Sequence, residues 1–259
     1  MGLKRLFGVS YFQIEDVNPT VWRQRWEEIA GLLIERNAGI EFALVSGTKA
    51  ETISLEMIPL LAKAGCRYIS ISPESGSPRI MRSIGKRFDY IHGLQLISAC
   101  QKNGIRTQAC FLVGYPGECT RDHEMSNDYI KRLVKAGLDE VAIFIVSPFA
   151  GSALYDSGSI EMVDGTALKS FSPTARKDYQ RVNHRRNELI VTFFRYKLSR
   201  GLELWKQLGR ALLGRPETKM ENLPRRVLFV YMIVAKYQIG LIAKRVVRLT
   251  MTIFRIHSV

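Results

Sequence analysis

At 259 residues, with 46% hydrophobic and 24% charged side chains, the chain carries enough apolar material for a substantial core, which excludes a disordered polymer. Its length fits one large domain or two small ones. The net charge of +14 is uneven: residues 166–259 hold 20 Lys or Arg against 5 Asp or Glu, so a nearly neutral part precedes a strongly basic one.

Apolar runs and helical periodicity alternate along the first part. Leu6–Ile14 reads as a strand, Trp22–Arg36 as a helix and Ile40–Val45 as a second strand. Leu55–Ala64 reads as a helix closed by Gly65, before the apolar run Tyr68–Ile71. Tyr90–Asn103 is a helix closed by Gly104, Thr107–Val113 a strand, Met125–Ala136 a helix stopped by Gly137, and Glu140–Val146 the fifth strand. Glycine just past a helix is the usual end residue, because it alone adopts the left-handed conformation without steric cost. Five strands with helices between them predict right-handed βαβ crossovers around a parallel sheet buried on both faces, as an open doubly wound sheet or an incomplete barrel. Beyond residue 165 no further strand is expected. Lys177–Leu213 reads as long, basic and helical, with Gly201, Gly209 and Gly214 as candidate breaks, and Leu228–Phe254 is apolar with Lys and Arg set into it.

In parallel α/β folds ligands sit at the carboxyl ends of the strands. Those positions carry Glu15, Asp16 and Asn18 after the first run, PESGS after the third, GYPGE after the fourth and SPFAGSALY after the fifth. Singly, each is ordinary turn chemistry; four in chain order point to a binding rim, where glycine admits a close backbone approach and a carboxylate meets an ammonium or a ribose hydroxyl.

Four segments together resemble the radical S-adenosylmethionine (SAM) superfamily. AGCRYISISPESGSPRIMRSIGK resembles a strand ending in E-S-G-S and followed by a lysine, and IRTQACFLVGYPGECTRD resembles a strand ending in G-x-P-G-E-T. IVSPFAGSALYD is similar to a later strand with a P-G-T-x-x-Y loop, and SYFQIEDVNPTVWRQRWEEIAGLL to the second strand with its acidic exit. The resemblance runs from about Leu6 to Asp156 and is nearest to the branch that often carries a cobalamin domain upstream. It implies a partial (β/α) barrel over residues 1–165 with a basic, mainly helical extension over 166–259. It also implies reductive cleavage of SAM to a 5′-deoxyadenosyl radical in intact relatives, which also need an electron donor. By position, Glu15 or Asp16 would face the SAM amino end, Glu74 and Ser75 the ribose, Leu112, Val113, Gly114 and Gly117 the adenine side, and Val146, Ser147 and Pro148 the adenine edge. Lys86 matches a family lysine, with a plain surface cation as the alternative.

The family's four-iron four-sulfur cluster is held by CxxxCxxC, a spacing that Cys66, Cys100, Cys110 and Cys119 do not form. The segment that would carry it is expected upstream of Met1, which makes the chain a fragment; the alternative is a non-catalytic module on a degenerate barrel. Cys66 and Cys110 read as small core residues, Cys119 as a turn residue, and the four histidines as surface residues without metal spacing. Too few cysteines for a disulfide framework, and no signal peptide, indicate a cytoplasmic protein. For the basic tail two readings stay open, a helical extension packed over the barrel's open side and a segment lying on an anionic membrane surface. Nucleic acid ranks below both, since the aromatics lie within apolar runs.

Overall fold

In the computed structural model of the chain, residues 2–16, 18–163 and 173–213 are described. In chain order they form α1 (Gly2–Phe7), β1 (Tyr11–Ile14), α2 (Arg23–Glu35), β2 (Glu41–Thr48), α3 (Met57–Lys63), β3 (Cys66–Glu74), α4 (Pro78–Ser83), α5 (Tyr90–Lys102), β4 (Arg106–Val113), α6 (Thr120–Ala136), β5 (Glu140–Ile145), α7 (Ala153–Asp156), α8 (Tyr179–Leu198) and α9 (Leu202–Leu212). The five strands are all parallel and lie in the order β1-β2-β3-β4-β5. Sheet order equals chain order, so each crossover joins neighbours and all five strands end on one rim. The chain divides into compact units Met1–Gly201 and Leu202–Val259; α9 is the described part of the second.

Gly65, Gly104 and Gly137 follow α3, α5 and α6 with φ of +104°, +72° and +122°, the left-handed stops expected of them. The expected first strand is shorter than its apolar run, because Gly2–Phe7 is helical and pairing begins at Tyr11. Gly8 ends that helix at φ +67°, and Lys4 ties it down by donating to the carbonyls of Ala38 (2.7 Å) and Gly39 (2.9 Å). A short stretch of this kind suits either conformation; here the glycine and the lysine decide.

The main core lies between the sheet and its crossover helices. Phe42, Leu44, Ile69, Ile71, Ala109 and Phe111 from the strands are buried, as are Trp26, Ile58, Leu61, Leu96, Ile97, Ile130 and Leu133 from the helices. Each large side chain so buried contributes roughly 1.5–3 kcal/mol. Trp26 of α2 stacks on Phe42 with ring centroids 5.8 Å apart.

Burial on both sheet faces, expected from the continuous apolar runs, does not hold throughout. In β4, Thr107, Ala109, Phe111 and Val113 are buried, whereas Arg106, Gln108, Cys110 and Leu112 on the other face are half-buried. That second face is polar: the hydroxyl of Ser70 donates to Gln108 Oε1 (3.2 Å), and the hydroxyl of Tyr68 donates to Glu140 Oε2 (2.7 Å). It is the concave side of a barrel that the five strands do not close. The long basic helix breaks at Gly201, as expected, but Gly209 lies inside α9, and Gly214 is outside the described residues. Its first half, α8, packs on α6, β4 and β5. The apolar stretch Leu228–Phe254 lies outside the described residues.

Candidate functional site

The ESGS turn after β3 and the PGE turn after β4 are joined through the start of α6. Asp122, buried in the first turn of α6, accepts from Ser77 Oγ (2.6 Å), from the Cys119 amide (2.9 Å) and from Arg79 through both Nε (3.2 Å) and Nη2. Arg79 also donates to the Gly117 carbonyl (2.8 Å), and the Gly76 amide donates to Ser126 Oγ (2.9 Å). Gly76 is needed for this approach, since a Cβ there would lie 2.5 Å from Met125 O and Ser126 Cα. Burial alone would raise the Asp122 pKa; the bonds from Arg79, Ser77 and Cys119 outweigh it and hold the carboxyl well below the usual carboxylate range. Neither α4 nor Asp122 stands out in the hydrophobic periodicity. The signals were present in Ser77 before Pro78, an N-cap followed by proline at N1, and in an acid three residues after Cys119.

The sequence-predicted site residues lie at the carboxyl ends of β1, β3, β4 and β5, on the common rim. Glu15 and Asp16 are exposed after β1. Glu74 is buried at the end of β3 with φ +58° and forms an ion pair with Lys86, so the family-like lysine has a partner on the rim. Ser75 is buried and turned toward α6, its hydroxyl 3.4 Å from Ser126 Oγ and accepting from the Ser77 amide at 3.1 Å. Leu112 lies on the half-buried concave face, and Val113 faces the helices. Gly114 has φ +87°, and a Cβ on it would lie 2.7 Å from Val182 and 2.8 Å from Arg176, so this glycine serves the docking of its own chain. Gly117, at φ +71°, has open space beside it. Val146 and Pro148 are buried, and Ser147 Oγ is buried without a hydrogen-bond partner. Thr48 Oγ1, at the end of β2, is likewise buried and unpartnered.

Arg176, 62 residues from Gly114 and 4% exposed, donates to the carbonyls of Gly114 (2.8 Å) and Val146 (2.6 Å) and pairs with Asp178. It clamps the ends of β4 and β5 together. A cleft of about 520 Å³ opens between the Gly114–Glu118 turn and Arg176, Lys177, Arg181 and Arg185. Glu118 accepts from the Gly114 amide at 2.5 Å, and its carboxyl pKa is raised, chiefly by burial. Burial, then the neighbouring Glu74 and Glu118, pushes the Tyr115 hydroxyl up as well. None of these α8-side contacts was legible in advance, because sequence spacing carries no sign of them.

Cys66 and Cys100 are fully buried and Cys110 half-buried, while Cys119 is exposed at the N-terminal cap of α6. His184 is exposed, as read from the sequence, but His92 is half-buried, its Nε2 2.9 Å from the Ile53 carbonyl. His123 is buried beside Glu188, at 3.0 Å, because the amphipathic α6 turns that position toward α8. His257 lies outside the described residues. Among the described residues no three His, Cys, Asp or Glu side chains are grouped to hold a metal. With two cysteines sealed in the core, the residues present do not fit an iron-sulfur cluster. They do fit an adenosyl ligand better, since the rim presents two buried hydroxyls that lack partners.

A parallel α/β sheet of barrel type, with glycine turns and carboxylates gathered on one rim, defines a class of ligand-binding barrels. The model of the radical SAM superfamily matches residues 2–130, and the chain belongs to that superfamily, whose members use SAM and a four-iron four-sulfur cluster. Cytidylyl-2-hydroxyethylphosphonate methyltransferase of Streptomyces wedmorensis is 26% identical over 159 residues, 59% of this chain and 29% of that one. Anaerobic magnesium-protoporphyrin IX monomethyl ester cyclase of Rubrivivax gelatinosus is 22% identical over 213 residues, 77% of this chain and 38% of that one. Among solved structures, the radical SAM enzyme coproporphyrinogen III oxidase of Escherichia coli shares the fold, with a TM-score of 0.53 and 16% identity, over 73% of this chain and 41% of that one. The chain spans 25% to 38% of the length of the first curated relatives it matches.

Proposed function

We propose that this chain forms the SAM-holding rim of a radical SAM barrel and is a fragment of a longer enzyme of the cobalamin-binding branch. The observation that carries the reading is the convergence of Glu15, Glu74, Gly114 and Ser147 on one rim within the matched superfamily fold, with Ser147 Oγ buried and unsatisfied. In this reading Glu15 or Asp16 takes the amino end of SAM, and Glu74, held by Lys86, and Ser75 lie near the ribose. Leu112 and Gly117 line the adenine side and Val146–Pro148 border its edge. SAM, when bound, supplies the adenosyl group; the chain orients it and excludes water. The resemblance to a methyltransferase favours methyl transfer as the reaction class.

Because the described residues offer no cluster ligands, no radical step is assigned to this chain, and a non-catalytic SAM-binding module is the second reading. The free cysteines agree with a cytoplasmic setting. Among the described residues no helix is long and apolar enough to cross a membrane. Equilibrium dialysis with labelled SAM tests the reading: saturable binding is expected, weakened about tenfold in Ser147→Val, which removes a hydrogen-bonding group from the rim. Absence of saturable binding, or indifference to Ser147→Val and Glu74→Gln together, would overturn it.

A further inference from the structure

The helix α9 (Leu202–Leu212), in the second compact unit, exposes the side chains that a packed helix hides. Trp205 and Leu212 lie two turns apart on one face, and each is 71% exposed. Leu213, whose amide still donates to the Gly209 carbonyl (3.0 Å), is 78% exposed beside them. The buried positions are instead Gln207 and Ala211. A helix docked on a core by its apolar stripe shows the reverse order: residues spaced i, i+7 and i+8, as these three are, lie covered, and glutamine faces water. Three large apolar side chains side by side in solvent mark a surface that meets something else.

The surroundings of the stripe say what covers it. By helical spacing Lys206 and Arg210, one turn apart, run along its border next to Leu213. The charge around it is of one sign, since residues 202–259 carry 11 Lys or Arg against 3 Asp or Glu. An indole and two leucines edged by cations complement an anionic lipid surface: the acyl boundary takes the apolar face, the indole sits at headgroup level and the phosphates meet the cations. A nucleic acid would need aromatic faces in series, and Leu212 and Leu213 cannot stack on bases. Eleven residues fall well short of the ~20 that a span needs, so such a helix lies on the bilayer and does not cross it. We propose that α9 is a membrane-docking helix, which seats Trp205, Leu212 and Leu213 in the headgroup boundary of an anionic phospholipid bilayer with Lys206 and Arg210 against its phosphates. Docking of α9 needs nothing of the rim and stands independently of the SAM reading.

The whole chain is floated through a density gradient with vesicles of phosphatidylcholine alone or of phosphatidylcholine with phosphatidylserine; aggregated protein sinks and is not counted as bound. Anionic vesicles are expected to bind at least about tenfold more tightly than neutral ones, because each cation near the surface adds attraction, and raising the salt should erode that difference. Leu212→Glu together with Leu213→Glu should weaken binding by more than about tenfold, since two apolar side chains leave the interface. Both positions are exposed, so the fold should tolerate the change. Indole emission should shift to the blue on anionic vesicles in the unmodified chain and in Trp22→Phe, which removes the other exposed tryptophan, but not in Trp205→Phe. No flotation with anionic vesicles, equal flotation with neutral ones, binding that survives the double substitution, or a blue shift that survives Trp205→Phe would each overturn the proposal. The lipid comparison and Trp205→Phe decide the matter even where the double variant fails to fold.

Discussion

Replacing Asp122 by Asn keeps the shape of the side chain and removes the charge on which two turns and a helix cap converge. The carboxylate is 4% exposed and accepts from Ser77, Arg79 and the Cys119 amide. Arg79 is 53% exposed, so that ion pair is screened by water and contributes under about 1 kcal/mol. The larger part comes from the donors of Ser77 and Cys119 to a charged acceptor, roughly 1.5–3 kcal/mol each, of which an amide oxygen retains some. A loss of about 3 kcal/mol is therefore expected, read as a fall of ~6–12 °C in Tm by circular dichroism. The pH dependence gives a sharper check. The folded-state pKa is depressed, so this contribution is complete above the unfolded carboxylate value near ~4 and is lost as pH falls through the folded value. Urea midpoints should thus converge between wild type and Asp122→Asn as the pH drops below about 4. A variant within ~0.5 kcal/mol of wild type at pH 7, or a stability gap that persists undiminished in acid, would refute the role given to Asp122.

Gly76→Ala should cost at least ~2 kcal/mol, because its methyl group would lie 2.5 Å from the backbone of α6; an unchanged denaturation midpoint would show that α6 moves away freely. His123 has its pKa lowered by burial, with Glu188 opposing, so its unfolded form takes up a proton first. Stability should be full above about pH 6.5 and fall as pH drops below it, and His123→Leu should flatten that slope in urea titrations at pH 7.5 and 5.5. Anaerobic reconstitution with iron and sulfide should leave the chain without a stoichiometric cluster by iron content and visible absorbance. A full cluster that disappears in Cys110→Ala and Cys119→Ala would show that thiols outside the core suffice.

What was legible in the sequence was periodic or local. The helix periodicity of residues 22–36, 55–64, 90–103 and 125–136, with the glycines at 65, 104 and 137, placed four crossover helices close to their observed bounds, α6 alone beginning earlier, at Thr120. The rim followed, because parallel strands with same-handed crossovers leave no other place for their carboxyl ends. The strand expected from Leu6 begins only at Tyr11, because Leu6 and Phe7 close α1, a short helix whose Leu3, Leu6 and Phe7 are exposed and leave no buried face to set a period. The Lys86–Glu74 pair and the clamp of Arg176 on Gly114 and Val146 join residues 12 to 62 positions apart, and nothing in local spacing announces them. Glycine at Gly114 was read as room for a ligand, whereas the room is filled by Arg176 and Val182. A small residue signals close approach without saying by what.

The identity of chain order and sheet order also bears on how the molecule is made. Each new strand finds its partner in the strand that preceded it, after closing a loop of a few tens of residues, so no pairing waits for a distant part of the chain. During synthesis the sheet grows from β1 toward β5 by single additions, each burying its own helix as it docks. The arginine clamp that precedes α8 is the exception. It reaches back to the ends of β4 and β5 only after Arg176 has emerged, so the carboxyl ends of these two strands are tied together from a part of the chain made after the whole sheet.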